Sequence, residues 1–312
     1  MKTDIKNLVI GGTSQDAKIL RKLFLSEKNE SAHVVSRDSS KLEKYSNENH
    51  FETSLTDFDL ISDLLKNFSY ENIFIFAAQS SVYESFRNPD LTFLVNCQLP
   101  LSIFQTCLEQ CHRGKILVPL SSECFGSSKI PCSADSPFKP VSPYGTSKAI
   151  LRDFGEIYRE KGLQIDLPIL FNHESSYRAN FSVLWKLIKF VDELKRKPGA
   201  VLEVGNLNII RDWSYANEIV SVMYGLSKLN GSHDLCVGSG FSFSIYELIE
   251  FMEITADVKI ISRLVQNDMY IRRNDILSSY CDPSALKKVK IEVPALSGRR
   301  LIFKLLEDYN VI

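Results

Sequence analysis

The sequence predicts an α/β fold: a Rossmann-type, doubly wound parallel sheet followed by a smaller C-terminal mixed α/β domain. Two observations support this prediction. Short apolar runs rich in β-branched residues alternate with segments of helical spacing over roughly the first 170 residues, an alternation typical of βαβ units. After Asn172 the alternation gives way to a mixed pattern. Because βαβ crossovers are right-handed, the first part should form a sheet with helices on both faces.

The predicted elements follow in order along the chain. Apolar runs of strand length lie at 8–10, 32–36, 72–76, 115–120 and 164–170. Helical spacing covers 16–25, 57–68, 91–111 and 144–161, and later 181–196 and 245–252. In the second of these helices, Leu60, Ile61 and Leu64 recur at the intervals that give a helix one apolar face.

Composition and charge exclude several functional classes. The 312 residues carry a formal net charge of -1, so there is no basic excess to hold nucleic acid or an anionic membrane. The apolar run Leu8-Val9-Ile10 is too short for a signal peptide, and we expect no transmembrane segment. The 7 cysteines give no disulfide ladder, and Cys107 and Cys111 lack the partners of a metal site. We therefore expect reduced thiols, no metal and a cytoplasmic location.

A turn of small residues follows the first predicted strand. Gly11, Ser14 and Ala17 occupy the three positions of a G-x-x-G-x-x-G turn at the start of a helix. Small residues there allow a tight turn, a close approach of the backbone to a pyrophosphate, and helix–strand packing. Since two of the three glycines are replaced, the pattern alone fits a plain strand-to-helix turn equally well. Its place at the first βα junction favours a dinucleotide site.

Arg37 follows the second predicted strand, with Ser39 and Ser40 close behind it. An arginine here can bind the 2′-phosphate of NADP, whereas an acidic residue would accept from the ribose of NAD. The pattern favours NADP, with a solvated surface arginine as the alternative; an alignment slipped by one residue would place Asp38 at the ribose. We expect residues 1–171 to form the NADP-binding domain. Residues 172–312 should form mainly a substrate-binding domain, with some segments returning to the first sheet.

Tyr144 and Lys148 lie four residues apart on a predicted helix, so both side chains share one face. An ammonium group beside a tyrosine stabilises the phenolate, which makes the tyrosine a usable base. Such a pair is common on helix surfaces by chance. Ser121 and Glu123 support a catalytic interpretation, because they follow a predicted parallel strand and reach the sheet edge where ligands bind in such folds. Considered one at a time, Ser121 would be interpreted as the polar end of a strand and Glu123 as a solvated loop acid.

Several longer strings of residues resemble the motifs of one enzyme family. They are Ala77-Ala78-Gln79-Ser80-Ser81-Val82, Ser121-Ser122-Glu123-Cys124-Phe125-Gly126, Ser142-Pro143-Tyr144-Gly145, Leu170-Phe171-Asn172-His173-Glu174-Ser175, and Gly205-Asn206-Leu207 with Arg211-Asp212-Trp213. The chain resembles the extended short-chain dehydrogenases, and most of all GDP-mannose 4,6-dehydratase, from Gly11 to Ala285. The Asn-His-Glu-Ser and Arg-Asp-Trp strings are specific to the dehydratase branch, whereas Tyr-x-x-x-Lys is shared by a broad superfamily.

The resemblance implies a role for each matching residue. Tyr144 would be the catalytic base and Lys148 its partner. Ser121 would hydrogen-bond the sugar oxygen at carbon 4, and Glu123 would be the acid/base. The residues expected at the cofactor are Gly11, Ser14, Gln15, Asp16, Arg37, Ala77, Ala78, Tyr144 and Lys148. The residues expected at the nucleotide sugar are Ser81, Asn172, Arg178, Arg211, Arg272 and Asp275.

The activity that the resemblance implies is nucleotide-sugar 4,6-dehydration of GDP-mannose or a related GDP-sugar, with transient reduction of NADP. A reductase or epimerase on the same scaffold is the alternative, although neither needs a carboxylate at the position of Glu123. A catalytically silent nucleotide-sugar-binding protein is a second alternative, and the intact catalytic set argues against it. The resemblance also implies a homodimer or homotetramer.

The sequence departs from the family pattern at several places. Ser14 and Ala17 replace the family's second and third loop glycines, and Ser54 replaces the acidic residue that usually lies near adenine. The segment Ser176-Tyr177-Arg178 is one residue shorter than the family's Pro-Arg-Arg-Gly. The family's Arg-Pro-Thr-Glu is replaced by Arg272-Arg273-Asn274-Asp275. These changes leave the catalytic set intact.

Overall fold

The computed structural model of the protein describes residues 3–27, 30–54, 57–128, 130–178, 182–270 and 275–312. The chain divides into two compact units. Unit 1 comprises Met1–Gly126, Phe138–Ile169 and Val220–Leu235, and unit 2 comprises Ser127–Pro137, Leu170–Ile219 and Cys236–Ile312. That one part binds a cofactor and the other a substrate stays a prediction.

Strands and helices alternate along most of the chain. The described strands are β1 (Thr3–Asp4), β2 (Asn7–Ile10), β3 (Ala32–Ser36), β4 (Glu48–Glu52), β5 (Phe68–Ser69), β6 (Asn72–Ile75), β7 (Lys115–Leu117), β8 (Leu120–Ser121), β9 (Gln164–Asp166), β10 (Ile169–Leu170), β11 (Asn172–Glu174), β12 (Leu202–Val204), β13 (Ile210–Tyr215), β14 (Cys236–Val237), β15 (Ser242–Ser244), β16 (Leu264–Gln266) and β17 (Ser278–Ser279). The described α-helices are α1 (Gln15–Ser26), α2 (Asp59–Asn67), α3 (Val82–Arg87), α4 (Pro89–Phe93), α5 (Leu99–Glu109), α6 (Pro143–Glu160), α7 (Val183–Arg196), α8 (Ala216–Ser227), α9 (Ile245–Ala256), α10 (Ser284–Lys288) and α11 (Gly298–Asp308).

Six parallel strands form the main sheet of unit 1. Their order across the sheet is β4-β3-β2-β6-β7-β9, and each neighbouring pair is parallel. Counted along the chain, this is the order 3-2-1-4-5-6 of the doubly wound dinucleotide-binding fold. The fold class predicted from the sequence is confirmed.

The strands at the centre of this sheet are buried on both faces. Every residue of β2 is buried, as are Ile73, Phe74 and Ile75 of β6, which explains their continuous apolar sequence. Phe24 of α1 packs on Phe74 with ring centroids 6.0 Å apart. The apolar stripe of α1 therefore fixes that helix against the strand pair that carries its own N-terminal turn.

Unit 2 has a core of its own, formed mainly by α7, α9 and α11. Leu187, Leu248 and Leu305 are fully buried in it, and Trp213 of β13 packs among them. β13 pairs in parallel with β11 and β17 and antiparallel with β15. This mixed sheet agrees with the change of pattern that the sequence shows after residue 172.

Two predicted strands are each divided in the structure. The run 115–120 forms β7 and β8, and the run 164–170 forms β9 and β10. Pro119 and Pro168 lie at the breaks. Proline has no N–H to donate to a neighbouring strand, so it interrupts the ladder at both places.

The helical run from Pro89 to Glu109 joins α4 to α5 through one π-helical turn, Leu94–Gln98. Among the described residues it is the one helix long and apolar enough to cross a membrane by length and composition, and half of it is buried. Core helices of globular proteins meet the same criterion. Since α4 packs on α6 and α5 packs on α2, we interpret the run as a core helix of unit 1.

Candidate functional site

The turn after β2 meets the loop after β6 at the centre of the sheet in unit 1. Gly11 has φ +92°, and a Cβ atom built on it would lie 2.4 Å from the backbone nitrogen of Ala77. Only glycine fits here, because any side chain would collide with the Ala77 backbone. The Ala77 N–H in turn donates to the carbonyl of Ile10 at 2.9 Å. β2 and β6 flank the point where the strand order reverses, which is where this fold binds dinucleotides.

Helix α1 begins directly behind this turn. The Ser14 hydroxyl accepts a hydrogen bond from the N–H of Ala17 at 3.2 Å, and Ala17 itself is fully buried. A serine therefore serves as the N-cap where the dinucleotide pattern has a glycine. In the same first turn, the buried Gln15 side chain donates to the Asp16 carboxylate at 3.4 Å. A tight turn without bulky side chains, leading into the positive end of a helix, fits the pyrophosphate of a dinucleotide.

The loop after β3 places Arg37 on the exposed surface and Asp38 within a local network. The Asp38 carboxylate accepts from the backbone N–H of Ser40 at 3.1 Å and pairs with the Lys41 ammonium at 2.8 Å. These hydrogen bonds, that from Lys41 first, hold the pKa of Asp38 down at about 2. Asp38 is therefore a carboxylate at neutral pH whose charge Lys41 already balances.

Glu52, at the end of β4, is a second carboxylate at this loop. It accepts from both the N–H and the hydroxyl of Ser39, at 2.9 Å and 2.6 Å. These hydrogen bonds lower the pKa of Glu52. Spacing along the sequence does not connect Glu52 with this loop, because only the parallel pairing of β3 with β4 brings the two together.

The turn that follows β8 carries Ser121 and Glu123. The Ser121 hydroxyl accepts from the N–H of Glu123 at 3.3 Å and so caps a 3₁₀ turn, Ser122–Cys124. Ser121 and Glu123 are partly exposed, whereas Ser122 and Cys124 are buried. The cap therefore presents the hydroxyl and the carboxylate at the carboxyl edge of the strand while the other side chains fill the core.

The first turn of α6 rests directly on this Glu123 turn. Ser142 caps the helix by accepting from the N–H of Gly145 at 3.0 Å. A Cβ atom on Gly145 would lie 2.7 Å from the Glu123 carbonyl oxygen, so only glycine permits the approach. Because Tyr144 directly precedes Gly145, the approach brings the carboxylate-bearing turn and the tyrosine to the same edge of the sheet. Their catalytic roles stay predictions.

Lys148 lies one helical turn beyond Tyr144 and is 4% exposed. Its ammonium donates to the carbonyl of Pro119 at 2.8 Å. Burial lowers the pKa of Lys148 to about 8, an effect that the nearby Cys124, Cys97 and Asp16 partly oppose. The pKa of the lysine therefore lies close to neutral pH, and its ammonium charge could stabilise a phenolate on the same helix face.

In unit 2, alternation along β13 sends Arg211 and Asp212 to opposite faces. Asp212 is fully buried and accepts from both the N–H and the hydroxyl of Ser239, at 3.0 Å and 2.8 Å, and from the N–H of Gly240 at 2.8 Å. Burial raises the pKa of Asp212, and these donors oppose the shift. Asp212 thus ties β13 to the loop around Ser239, which leaves Arg211 as the binding candidate of the Arg-Asp-Trp string.

Arg211 is itself 6% exposed. Its guanidinium donates to the Ile210 carbonyl at 3.0 Å and to the Asp275 carboxylate at 3.3 Å. The structure therefore brings together two of the residues predicted to bind the nucleotide sugar. Arg272, a third, lies outside the described residues.

Asn172 and Arg178 flank a buried carboxylate of unit 2. Asn172 begins β11 and lies opposite Trp213 in the parallel ladder. Arg178 approaches Glu174 with 3.7 Å between Nε and Oε1, and the Ser182 hydroxyl donates to the same carboxylate at 2.7 Å. Burial raises the pKa of Glu174, and the Arg178 charge opposes it.

The remaining predicted residues of unit 1 lie at or near the carboxyl end of β6. Ala78 is exposed there, and Ser81 caps α3 by accepting from the N–H of Glu84 at 3.2 Å. Two residues to which no role was assigned from the sequence also shape this edge: Gly145, which belongs to one of the motif strings, and the fully buried Asn96. The sequence shows Asn96 as a polar residue inside an apolar helical run, but it does not show which distant groups the side chain contacts.

A 3-2-1-4-5-6 parallel sheet, a dinucleotide turn after its first strand and a Tyr-x-x-x-Lys helix define an extended short-chain dehydrogenase/reductase. The profile of one family within that class, described as GDP-mannose 4,6 dehydratase, matches residues 8–293. The chain belongs to this family, and the resemblance inferred from its motifs is confirmed.

Individual relatives agree with this assignment. GDP-mannose 4,6 dehydratase 1 of Arabidopsis thaliana is 30% identical over 263 residues, which cover 78% of this chain and 72% of that protein. Solved structures share the fold at lower identity. DesIV, a dTDP-glucose 4,6-dehydratase from Streptomyces venezuelae with NAD and TYD bound, is 17% identical with a TM-score of 0.83, covering 98% of this chain and 97% of that one. RMD from Pseudomonas aeruginosa, complexed with NADPH, is 20% identical with a TM-score of 0.79, covering 97% and 98%.

The buried Lys148 predicts a pH dependence of stability. Its folded pKa of about 8 lies below the ordinary value of 10.5, so between these pH values the unfolded chain binds more protons than the folded one. Wild-type stability should therefore rise relative to Lys148→Met as pH rises from 7 to 10. The full linkage effect is on the order of 3 kcal/mol. Urea unfolding of both proteins at the two pH values measures it, and a constant difference between them would contradict the assigned burial.

Proposed function

We propose that this protein is a nucleotide-sugar 4,6-dehydratase that converts GDP-mannose, or a related GDP-sugar, to its 4-keto-6-deoxy product. The observation that carries the proposal is the packing of the Glu123 turn on α6 at Gly145, next to Tyr144. Elimination needs a carboxylate beside the tyrosine base, whereas simple reduction or epimerisation does not. Family membership supports the same activity.

We assign the cofactor to unit 1 and the nucleotide sugar mainly to unit 2. The residues assigned to the cofactor are Gly11, Ser14, Gln15, Asp16, Arg37, Ala77, Ala78, Tyr144 and Lys148. Those assigned to the nucleotide sugar are Ser81, Asn172, Arg178, Arg211, Arg272 and Asp275. The arginines among them suit a diphosphate, which guanidinium groups bind through paired hydrogen bonds.

The cofactor we propose is NADP. The Gly11 turn and the N-terminus of α1 fit the pyrophosphate, and Arg37 is exposed at the strand end where a 2′-phosphate would be recognised. Asp38 is engaged by Lys41 and Ser40 and so is directed into its own loop. When bound, the nicotinamide ring accepts and returns a hydride.

The first proton transfer belongs to Tyr144. As a phenolate stabilised by the Lys148 ammonium, Tyr144 removes the proton of the hydroxyl at carbon 4 of the sugar. The Ser121 hydroxyl hydrogen-bonds the same sugar oxygen and stabilises it as the carbonyl forms.

The elimination belongs to Glu123. The carbonyl at carbon 4 makes the hydrogen at carbon 5 acidic, and the Glu123 carboxylate removes that proton. The resulting carboxylic acid then protonates the hydroxyl at carbon 6, which leaves as water. One side chain thus acts first as base and then as acid, which returns it to its starting state. The double bond left between carbons 5 and 6 would take back the hydride at carbon 6, and the Tyr144 hydroxyl would give its proton to carbon 5, which restores the phenolate.

Glu123→Gln should separate the two stages. The amide keeps the size of the side chain but accepts no proton from carbon 5, so the first oxidation should proceed and the elimination should stop. We expect reduced nicotinamide absorbance that persists after substrate is added, with dehydrated product lowered on the order of a hundred- to ten-thousand-fold. Spectroscopy and product mass spectrometry give the two readouts.

The matched control is Glu156→Gln, the same change at an exposed position of α6. It should leave both readouts at wild-type values. A Glu123→Gln protein that dehydrates at the wild-type rate would mean that Glu123 is a solvated acid, and the reductase or epimerase alternative would then replace this proposal.

Arg37→Ala should narrow the preference for NADP over NAD. The change removes the charge that meets the 2′-phosphate, so NADP affinity should fall while NAD affinity stays nearly constant. Asp38→Asn is the matched control and should leave the preference for NADP intact. Fluorescence titration with each cofactor measures the ratio. If the wild-type protein bound NAD more tightly than NADP, the cofactor ribose would be recognised by Asp38 and not by Arg37.

We propose a homo-oligomer built on a two-fold contact, as a dimer or as half of a tetramer. Large apolar side chains are exposed on three mutually packed helices of unit 1, α3, α4 and α6. They are Tyr83, Phe86, Leu91, Phe93, Phe154 and Ile157. Large apolar side chains exposed on helices that pack together favour an interface, and a second copy presents the same surface in a self-complementary way.

Phe86→Glu should shift this protein toward monomer. Phe86 is 60% exposed within the patch, so a charge there would be buried in the proposed contact. Phe303→Glu, on the exposed side of α11, is the control and should leave the assembly unchanged. Light scattering at micromolar concentration gives the mass. A monomeric wild-type protein would contradict the proposal.

We also propose a cytoplasmic location. None of the seven cysteines forms a disulfide bond in the described structure, and six of them are buried. Cysteines without disulfide bonds in this number suit a reducing compartment.

A further inference from the structure

The Glu52 carboxylate accepts hydrogen bonds from both the backbone and the side chain of Ser39. Glu52 is the last residue of β4 and lies opposite Ser36, the last residue of β3, in the parallel ladder. Its side chain therefore reaches the loop that leaves β3. One carboxylate oxygen, Oε2, accepts from the Ser39 N–H at 2.9 Å and from the Ser39 hydroxyl at 2.6 Å. Two donors of one residue thus converge on a single anionic oxygen.

Ser40, the next residue, is bound in the same manner by Asp38. Its N–H donates to Oδ1 of Asp38 at 3.1 Å, and its hydroxyl donates to the same atom at 2.5 Å. Lys41 balances the charge of Asp38 through an ion pair of 2.8 Å. The Ser39 donors that hold Glu52 are uncharged. Of the two carboxylates, Glu52 therefore leaves its negative charge less balanced at this loop.

The donors of Ser39 are of the kind that bind phosphate oxygens. A backbone N–H and a hydroxyl form strong hydrogen bonds to an anionic oxygen, whether that oxygen belongs to a carboxylate or to a phosphate. Ser39 lies in the loop after the second strand of the doubly wound sheet, where the 2′ position of the cofactor ribose is recognised. NADP carries a phosphate at that position, whereas NAD carries a hydroxyl.

The charge of Glu52 opposes a phosphate at this place. The hydrogen bonds from Ser39 lower the pKa of Glu52, so the group is a carboxylate at neutral pH. An ionised carboxylate is only an acceptor, so it cannot bond to a phosphate, and the two like charges repel. A 2′-phosphate that takes the Ser39 donors must therefore displace Glu52 into water. NAD can bind without that displacement.

We propose that Glu52 is a specificity-determining residue of the cofactor site. Its carboxylate competes with the 2′-phosphate of NADP for the donors of Ser39, and it thereby limits the preference for NADP that Arg37 creates. The inference rests on the proposed cofactor site in unit 1. It concerns the change in the ratio of NADP to NAD affinity when the Glu52 charge is removed, whichever cofactor the wild-type protein binds more tightly.

Glu52→Gln tests the competition. The amide keeps the size of the side chain but carries no charge, and a neutral acceptor holds Ser39 less strongly. We expect NADP to bind on the order of five- to tenfold more tightly, because the phosphate gains the Ser39 donors, with NAD affinity within about twofold of wild type. Adenosine 2′,5′-bisphosphate and adenosine 5′-monophosphate differ only in the 2′-phosphate and should show the same contrast. Isothermal titration calorimetry measures each affinity.

The matched control is Glu43→Gln, in the same connection between β3 and β4. The Glu43 carboxylate is exposed and accepts from the Tyr45 hydroxyl at 2.5 Å. This change removes the same charge, so a general effect of net charge on an anionic cofactor would appear here as well. We expect both cofactor affinities to stay at wild-type values.

Ser39→Ala separates direct competition from simple charge repulsion. It removes the hydroxyl from whichever anion occupies the site. Residues that share a contact have non-additive effects, so the gain in NADP affinity from Glu52→Gln should be less than about half as large in the Ser39→Ala background. Thermal unfolding of every variant confirms that the proteins compared are folded.

The outcomes separate this inference from the proposed cofactor. If the wild type prefers NAD, the NADP assignment is wrong, while the effect of Glu52→Gln still decides the role of Glu52. If neither cofactor binds, both proposals are wrong. If Glu52→Gln weakens NADP binding, shifts both cofactors equally or leaves their ratio within about twofold of wild type, Glu52 does not select between them. A gain that Glu43→Gln reproduces, or that is equally large in the Ser39→Ala background, also contradicts the competition.

Discussion

The backbone of Gly11 lies against the backbone of Ala77 where the strand order of the sheet reverses, and no side chain fits between them. This contact brings the start of α1 to the same edge as the loop that leaves β6. The turn proposed to hold the cofactor and the loop that continues from Ala77 to Gln79 both adjoin this contact. A second close approach, of Gly145 to the Glu123 carbonyl, has the same effect at the turn that carries the proposed acid/base Glu123. Two glycines thus determine which functional groups meet, since each permits a backbone contact that any other residue would prevent.

Burial sets the electrostatics of this edge. Lys148 is nearly inaccessible and its pKa falls to about 8, whereas Ser121, Glu123 and Tyr144 remain partly exposed. The charge is thus held beneath the groups that would touch the substrate. Strand β13 of unit 2 likewise carries one buried structural residue next to one residue proposed to bind. The Asp212 carboxylate accepts hydrogen bonds from backbone and hydroxyl donors, whereas Arg211 pairs with Asp275. In both units a buried ionisable group orders the backbone beside a residue proposed to bind.

The doubly wound parallel sheet was predictable from the sequence, because the period of the apolar residues changes between strand and helix. The order of the strands in the sheet was not predicted, since this period carries no information about which strands are neighbours. The strand breaks at Pro119 and Pro168 follow from proline chemistry and could also have been read. The catalytic candidates were identified by spacing and by resemblance. Glu52 and Asn96 were missed, since their partners lie far away in sequence and meet only in the folded sheet. Local periodicity carries no information about such distant pairs.

The central claim is that the groups brought to this sheet edge dehydrate a nucleotide sugar. The most direct measurement is mass spectrometry of the product formed from GDP-mannose by the wild-type protein with nicotinamide cofactor in deuterated water. We expect a product that is lighter than its substrate by one water apart from the label, with deuterium at carbon 5. A product of unchanged composition apart from label would indicate an epimerase, and a net gain or loss of hydride would indicate an oxidoreductase. Either result would contradict the account.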